Sequence, residues 1–549
     1  VNSLPVWILL TATIFFGWRR ILSYLRYYQQ EEYSSKRFWN WLRSKRAFDT
    51  RGTLVVVGVA ALSWLIPQSL LHVGIALLGA AALCAIVLAV EEDPRTSGKI
   101  RLAMTQRATK IAWLACAGLV AIATIPLLVS CSTCYPARAP LTTAALFSIL
   151  LVELPPFLLM LANTLLWPAE KAVQQHFYDD ARRILREVDP FIIGITGSYG
   201  KTGAKAALGE LLNQCLGPTF WPKKSINTVM GITRSIRDTL RPHHKYAVME
   251  MGAYNIGSIK RLCDFTPPKA SLVTAVGIMH LERFGSPENV YIAKSEIAQA
   301  LPADGILVCN GDSPNARRMA MEHTRSTTLL YGLNTAALDT AAGALDCYAS
   351  EISFSEKGTS FVIHWRGKSY PASTPLLGRP ALLNILGAFT MACALGANPE
   401  YATACLANLE PVDNRLVLDR SGTISFLRDA YNSNPTGFEA AIEVLKSLPA
   451  KQRVVMTPGM IELGDQQFAQ NKRLATIAAS AADLFIIVGH VNREALATGL
   501  KEAQYPQEKL ILVDSRDEAF SVVNSRCSQG DLVLIENDLG DLLEGKVHF

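Results

Sequence analysis

The sequence predicts an α/β fold of two domains, one built on a phosphate loop and one a doubly wound, Rossmann-like sheet, preceded by an α-helical transmembrane region. Three observations predict it. Long apolar stretches crowd the first 168 residues, a strand, glycine turn and helix follow at Asp189–Leu212, and short apolar runs then alternate with helical patterns to the C-terminus. The expected division is a membrane region at 1–168, a connecting helix at 169–188, a central domain at 189–415 and a C-terminal domain at 416–549.

Half of the 549 residues are hydrophobic. Residues 1–168 hold 15 of the 53 Lys and Arg but 7 of the 47 Asp and Glu, a net of +8 against −2 for the remainder. The basic excess therefore flanks membrane spans, which argues against nucleic-acid binding.

Apolar stretches lie at about 4–18, 53–90, 111–130 and 141–167. The second, 38 residues long and interrupted by Pro67-Gln68, suits two short spans and a tight turn. The segment 19–52 holds nine Lys or Arg and 91–110 holds five, so both belong on the cytoplasmic side with an even number of crossings between them. Segment 131–140 holds only Arg138 and belongs outside. The resulting expectation is a multi-pass protein of the inner, cytoplasmic membrane: five spans, N-terminus outside, everything after Trp167 in the cytoplasm. No small-residue cleavage site follows the first stretch, and Trp18-Arg19-Arg20 is a stop-transfer flank. Glu153, beside Pro155-Pro156, is either a functional intramembrane carboxylate or a protonated one bonded to a neighbouring helix. Nine of the eleven cysteines are scattered as reduced thiols, while Cys131 and Cys134 on the outer side are spaced for a local disulfide.

Phe191, Ile192, Ile193 and Ile195 read as a buried strand and Lys201–Leu212 as an amphipathic helix. Between them lies Thr196-Gly-Ser-Tyr-Gly-Lys-Thr202. Gly197 and Gly200 free the backbone N–H groups of the turn, including those of Ser198 and Tyr199, to face an anion; Lys201 neutralises β/γ-phosphates, and the Thr202 hydroxyl suits Mg²⁺. The general phosphate-loop pattern fails at one position, where Ile195 replaces its first glycine.

That departure, T-G-S-Y-G-K-T after an apolar strand, resembles the ATP loop of the Mur ligases, which join amino acids or peptides to carboxylates at the cost of ATP. Four later segments agree over residues 190–540. Asn227, Thr228 and Gly231 match a substrate-facing loop, with Thr233 where proline is usual. The run Tyr246–Ala253 reads as a strand ending in Glu250-Met-Gly-Ala, and a carboxylate there suits a Mg²⁺ ligand. His280, Glu282, Arg283, Phe284, Gly285, Ser286, Lys294 and Glu296 match the D-alanyl-D-alanine-adding branch. The resemblance implies a second Mg²⁺ held by His280 and by Lys294 as its carbamate, an oxygen donor of the kind Mg²⁺ prefers.

Asn310-Gly-Asp312 resembles N-x-D-D. Alternating strands are expected at roughly 347–370. Asn384 matches the expected adenine contact, and Arg415 the arginine that reaches the ATP phosphates. Arg428–Pro435 resembles D-x-Y-N-A-N-P, which brings Asn432 and Asn434 to the nucleotide, and Gly459–Gly464 places Glu462 toward substrate. Strands are expected at 453–457, 484–489 and 531–535. Where the family carries K-G-S-R, this chain has Glu536-Asn-Asp-Leu-Gly540, which removes cations expected near the amine substrate's carboxylate.

The resemblance implies an ATP-dependent acid–amino-acid ligase with two Mg²⁺ ions, an amino-acid or peptide amine donor and a carboxylate acceptor. Lys201, Lys294, His280 and Arg415 are its expected catalytic residues. Because membrane spans precede Asp189, the expected acceptor is membrane-associated or lipid-linked. The alternatives are the UDP-linked muramoyl tripeptide ligase of peptidoglycan synthesis, a polyglutamate-type synthase and, in a different class, an ATP-driven transporter. The transporter is disfavoured by the absence of paired repeats among the five expected spans.

Overall fold

A computed structural model describes residues 4–537 except 46, 67–68, 92, 97–100, 132–139, 278–283, 324, 334–343, 431–432 and 462. The chain divides into two compact units, Val1–Val173 and Gln174–Asp538.

In the first unit, helices α1 (Leu4–Gln30), α2 (Ser35–Ser44), α3 (Thr50–Leu65), α4 (Ser69–Ala85), α5 (Gln106–Cys131) and α6 (Pro140–Glu153) form a bundle, and α7 (Pro155–Val188) begins there. Large apolar side chains such as Trp64, Leu78, Leu88 and Trp113 face outward from it. By length and composition three helices can cross a membrane, or four counting the pair α6 and α7, which bends by 58°. The five expected spans differ from this at two places. Helix α3 has 16 residues, about 24 Å at 1.5 Å per residue, short of a hydrocarbon core of about 30 Å. The stretch 141–167 is broken at Leu154 ahead of Pro155-Pro156, because proline starts a helix readily and continues one badly. The expected connecting helix is not separate either: α7 carries Pro168 in its interior and runs on to Val188.

Ion pairs join the two basic segments. Arg20, fully buried, pairs with Asp49 at 2.7 Å and with Glu91, and Arg51 reaches Glu91 at 3.0 Å. Asp49 also caps α3 by accepting the Arg51 and Gly52 N–H groups. Arg20, Asp49, Arg51 and Glu91 therefore stand together in the bundle. Thr53 donates to Glu153 at 2.5 Å, so the carboxylate at the helix break is bonded to a neighbouring helix. The Cys131/Cys134 pairing falls outside the described residues.

The second unit holds two sheets. The first has nine strands in the order β2-β3-β1-β4-β5-β6-β7-β8-β9: β1 Phe191–Thr196, β2 Thr219–Phe220, β3 Tyr246–Glu250, β4 Ala270–Val273, β5 Ile306–Asn310, β6 Thr327–Gly332, β7 Cys347–Ser355, β8 Gly358–Trp365 and β9 Lys368–Thr374. Pairing is parallel from β2 through β7 and antiparallel from β7 to β9. The central strands are buried on both faces, which explains their continuous apolar runs. Helices α8 (Lys201–Cys215), α13 (Arg379–Ala394) and α14 (Pro399–Cys405) cover one face, while α9 (Val229–Thr239), α10 (Ser258–Phe265), α11 (Pro287–Gln299) and α12 (Pro314–Glu322) cover the other. The end of α7 packs here too, with Tyr178 stacked on Phe265 at 4.6 Å and Asp180 paired with Arg237 at 2.8 Å.

The second sheet has the order β10-β11-β15-β12-β13-β14: β10 Val417–Asp419, β11 Ser425–Asp429, β12 Arg453–Thr457, β13 Leu484–Val488, β14 Leu510–Val513 and β15 Leu532–Glu536. It is parallel apart from β10, and helices α15 (Pro435–Ser447), α16 (Gln467–Ala479), α17 (Arg493–Glu502) and α18 (Arg516–Arg526) flank it. This is the doubly wound domain the sequence predicts.

Candidate active site

Strand β1 delivers the loop Gly197–Gly200 to the first turn of α8. Gly200 caps that helix with φ 81°, and a Cβ there would lie 2.4 Å from the Asn384 Oδ1 atom. At Gly197 a Cβ would come within 2.0 Å of the Thr274 hydroxyl. Only glycine allows both the turn and this close approach. Tyr199 bridges to Ala275, and Ser198 donates its hydroxyl to Gly277 O at 2.8 Å. The loop is thus tied to the segment after β4.

Two lysines converge on one carbonyl oxygen. Lys201 Nζ donates to Gly197 O at 2.8 Å and to Ser198 O at 3.3 Å; Lys294 Nζ, from the middle of α11, donates to Gly197 O at 3.0 Å. The α11 helix is set by Ser286, which caps it, and by Pro287 at its start. Burial drives the Lys294 amine well below its usual range, and the charge of Lys201 drives it further. Burial also lowers Lys201, opposed by Glu250 and reinforced by Arg415.

Glu250, at the C-terminal end of β3, is 1% exposed and fully engaged. Its Oε2 accepts from Thr202 Oγ1 at 3.1 Å and from Lys205 Nζ at 3.1 Å, and its Oε1 accepts from Asn227 Nδ2 at 3.2 Å. Thr202 also meets the Ser225 hydroxyl at 3.1 Å. The two expected Mg²⁺ ligands Thr202 and Glu250 therefore stand together, with Lys205 supplying the positive charge beside them. Nothing in the sequence pattern pointed to Lys205; its position one helical turn after Lys201, on the face that also carries Thr202 and the buried core, is the signal that was there.

A cavity of about 30 Å³ lies between these groups, lined by Ser198, Lys201, Asn227, Gly252, Phe284 and Lys294 among others. Asn227 thus lines it, whereas the Thr228 hydroxyl is committed to capping α9. Asn384 lies over the first turn of α8, against Gly200 and Gly203. Arg415 acts electrostatically on both Lys201 and Asp429, so the junction between the two sheets brings it to the loop. Its neighbours Asn414 and Leu416 both have positive φ, 56° and 52°. Asn434 caps α15 through Oδ1, which accepts the Gly437 N–H at 3.0 Å. His280, Glu282, Arg283, Asn432 and Glu462 lie outside the described residues.

Profiles described as the Mur ligase middle domain and the Mur ligase glutamate ligase domain match residues 195–392 and 414–536. The UDP-N-acetylmuramoyl-tripeptide--D-alanyl-D-alanine ligase of Escherichia coli is 30% identical over 339 residues, 61% of this chain and 73% of that protein. The enzyme of the same name from Bacillus subtilis is 28% identical over 370 residues, 66% of this chain and 76% of that protein. This chain belongs to the Mur ligase family. A crystal structure of MurF from Acinetobacter baumannii superimposes with a TM-score of 0.58 at 25% identity, covering 66% of this chain and 77% of that one. The MurF ligase from Thermotoga maritima, solved in complex with ADP, shares the fold with a TM-score of 0.57 at 24% identity over 66% and 80% of the two chains.

Mur ligases are ATP-dependent enzymes that form amide bonds, and this one is an enzyme of that class. The residues of this Mur ligase fit such chemistry: a glycine cradle that no side chain can enter, two amines on one backbone oxygen, and a buried carboxylate beside a hydroxyl. Among the described residues no group of three or more His, Cys, Asp and Glu forms a metal site. The expected ligand set does not require one, since it draws on the Thr202 hydroxyl, Glu250, a modified Lys294 and His280.

Proposed function

We propose that this Mur ligase is a membrane-integrated ligase that activates a carboxylate as an acyl phosphate and joins it to an amine, with a membrane-associated or lipid-linked acceptor. The observation that carries the reaction is the convergence of Lys201 and Lys294 on Gly197 O, with Thr202 bonded to Glu250 in the helical turn that follows. Lys201 and the loop N–H groups other than that of Ser198, which donates to Ala275 O at 2.5 Å, hold the phosphates, Asn384, Asn432 and Asn434 accompany the nucleotide, and Arg415 counters charge that accumulates as phosphoryl transfer proceeds. Thr202 and Glu250 hold one Mg²⁺, and His280 with carbamylated Lys294 holds the second. The ions supply Lewis acidity toward the phosphoryl oxygens. Asn227, Thr228 and Glu462 face the substrates. Attack of the amine on the acyl phosphate forms the amide and releases phosphate, and no side-chain nucleophile is required.

The membrane-bound acceptor is supported by chain continuity. Helix α7 ends at Val188 and β1 starts at Phe191, so the phosphate loop follows the last apolar helix without an intervening domain. The 20 residues 169–188 amount to about 30 Å as a helix, and a tether of that length would raise the effective concentration of membrane-borne acceptors. The names of the relatives favour a second reading, a UDP-linked muramoyl tripeptide and D-alanyl-D-alanine as substrates. An assay of the purified protein with that pair separates the two: the membrane reading expects little product, and efficient ligation at micromolar substrate overturns it.

A further inference from the structure

The C-terminal domain holds a pair of acidic side chains that the reaction above leaves unused. Strands β11 and β15 are parallel neighbours, and their last residues, Asp429 and Glu536, stand opposite one another in register. The carboxyl ends of parallel strands are where open α/β sheets take their ligands. Glu536 is wholly buried. The Ser433 hydroxyl donates to its Oε1, while its Oε2, also buried, has no hydrogen-bond partner. Asp429 is less enclosed and forms the open side of the pair.

A buried carboxylate oxygen without a partner is costly, and two adjacent carboxylates cannot both stay ionised without compensating positive charge. Burial holds both acids above the usual carboxylate range, Asp429 at about 6 against the opposing pull of Arg415, and the charge of Asp429 raises Glu536 further. Arg415 is the cation nearby that acts on Asp429, and it acts on Lys201 as well. One arginine against two acids leaves room for one further positive charge, on the side of this domain that Arg415 links to the phosphate loop. Among the described residues no Lys, Arg or His forms an ion pair with Glu536.

We propose that Glu536 and Asp429, with Ser433, receive a primary ammonium group of the amine substrate, and that Glu536 selects against an amine carrying a carboxylate at this point. The inference rests on the ligase reading and names the substrate class for the same site. An ammonium brings one charge and three donors, which matches the free Glu536 oxygen and the adjacent Asp429 carboxylate. It can be the attacking group itself, which must shed a proton before it attacks the acyl phosphate, or a second ammonium on a diamine.

Titration calorimetry on the purified full-length protein, with Mg²⁺ and a non-hydrolysable ATP analogue, tests this. The titrants are n-butylamine, 1,4-diaminobutane and D-alanyl-D-alanine. One or both cationic amines should bind at least tenfold more tightly than D-alanyl-D-alanine, and Glu536→Gln should weaken that binding at least tenfold. Equal binding of the two cationic amines assigns the site to the attacking group, and preference for the diamine assigns it to a second ammonium. Tighter binding of D-alanyl-D-alanine than of either cationic amine overturns the proposal in the parent protein alone, and unchanged affinities in a folded Glu536→Gln overturn it independently. Failure of the ATP analogue to bind would instead strike the ligase reading, so the two failures are distinguishable.

Discussion

Lys294 and Lys201 donate to the same backbone oxygen, Gly197 O, at 3.0 and 2.8 Å. Two ammonium groups do not share one carbonyl comfortably, and burial with Lys201 beside it favours the neutral amine of Lys294. A neutral amine is the nucleophile that adds to CO₂, losing one proton as the carbamate forms. Carbamylation would then turn Lys294 into an anionic oxygen donor beside the phosphate loop. Growth with ¹³C-bicarbonate should give a carbamate resonance in the purified enzyme that Lys294→Ala lacks. That variant should lose most activity and recover part of it with added short-chain carboxylates. Full activity of Lys294→Ala after thorough removal of CO₂ would sink the assignment.

Lys205 and Glu250 form a buried ion pair at 3.1 Å, with side chains 2% and 1% exposed. Removing one member of such a pair leaves the other charge unpaired, at a typical cost of about 3–5 kcal/mol. Lys205→Met should destabilise the central domain by about that amount in urea unfolding. Millimolar Mg²⁺ should restore part of the loss if Glu250 is a metal ligand. A loss under about 1 kcal/mol would mean that the pair contributes little, as exposed pairs do.

The Asp429–Glu536 pair gives a pH signature. An acid whose folded pKa is raised binds more protons folded than unfolded between the two values, so its contribution to stability falls as pH rises through that window. For Asp429 the window runs from its ordinary value of 3.8 to about 6, and Glu536 is shifted in the same direction. Glu536→Gln removes one member and should raise the melting temperature relative to the parent at pH 8, with the difference shrinking toward zero near pH 4. The buried lysines titrate in the opposite sense but are common to both proteins, so the variant-minus-parent curve isolates the acids. A difference independent of pH would place the effect in packing instead.

Local features that were strong in the sequence reappear in the structure. The run Phe191–Thr196, the glycine turn and the helix from Lys201 carry their own instructions: an apolar strand, two backbone positions that exclude side chains, and helix formers. Strand β12 occupies 453–457 as read, a β-branched apolar run held between β15 and β13. Less was legible where identity depends on a distant partner. Hydropathy is continuous across Leu154, so the break between α6 and α7 does not show in it. Lys205 looks like any helix lysine until β3 brings Glu250 to it. Asn434 reads as a nucleotide contact by resemblance, yet one of its side-chain atoms already closes the end of α15. The Glu536 departure was visible in sequence, but its register with Asp429 follows only from sheet order.

The last prediction concerns membrane topology. Arg20 pairs with Asp49 and Glu91, and Arg19 with Asp93 at 3.4 Å, so the basic second half of α1, the start of α3 and the segment after α4 meet in the bundle. From the excess of Lys and Arg in those segments, that face is expected on the cytoplasmic side. The polypeptide between them must then leave that face and return to it, although α3 alone is too short to span an untilted bilayer of ordinary thickness. Two outcomes are compatible with return: α3 and α4 cross as a pair with local thinning, or they enter and leave as a re-entrant hairpin. In either, single cysteines placed in a variant lacking the native ones should react with an impermeant maleimide from outside at 132–139, and not at position 40, in 93–96 or in the ligase domains. Residue 67, between α3 and α4, distinguishes the cases, since it is labelled from outside only when the pair crosses. External labelling at position 40 would overturn the assignment of the charged face and, with it, the placement of the ATP site on the cytoplasmic side.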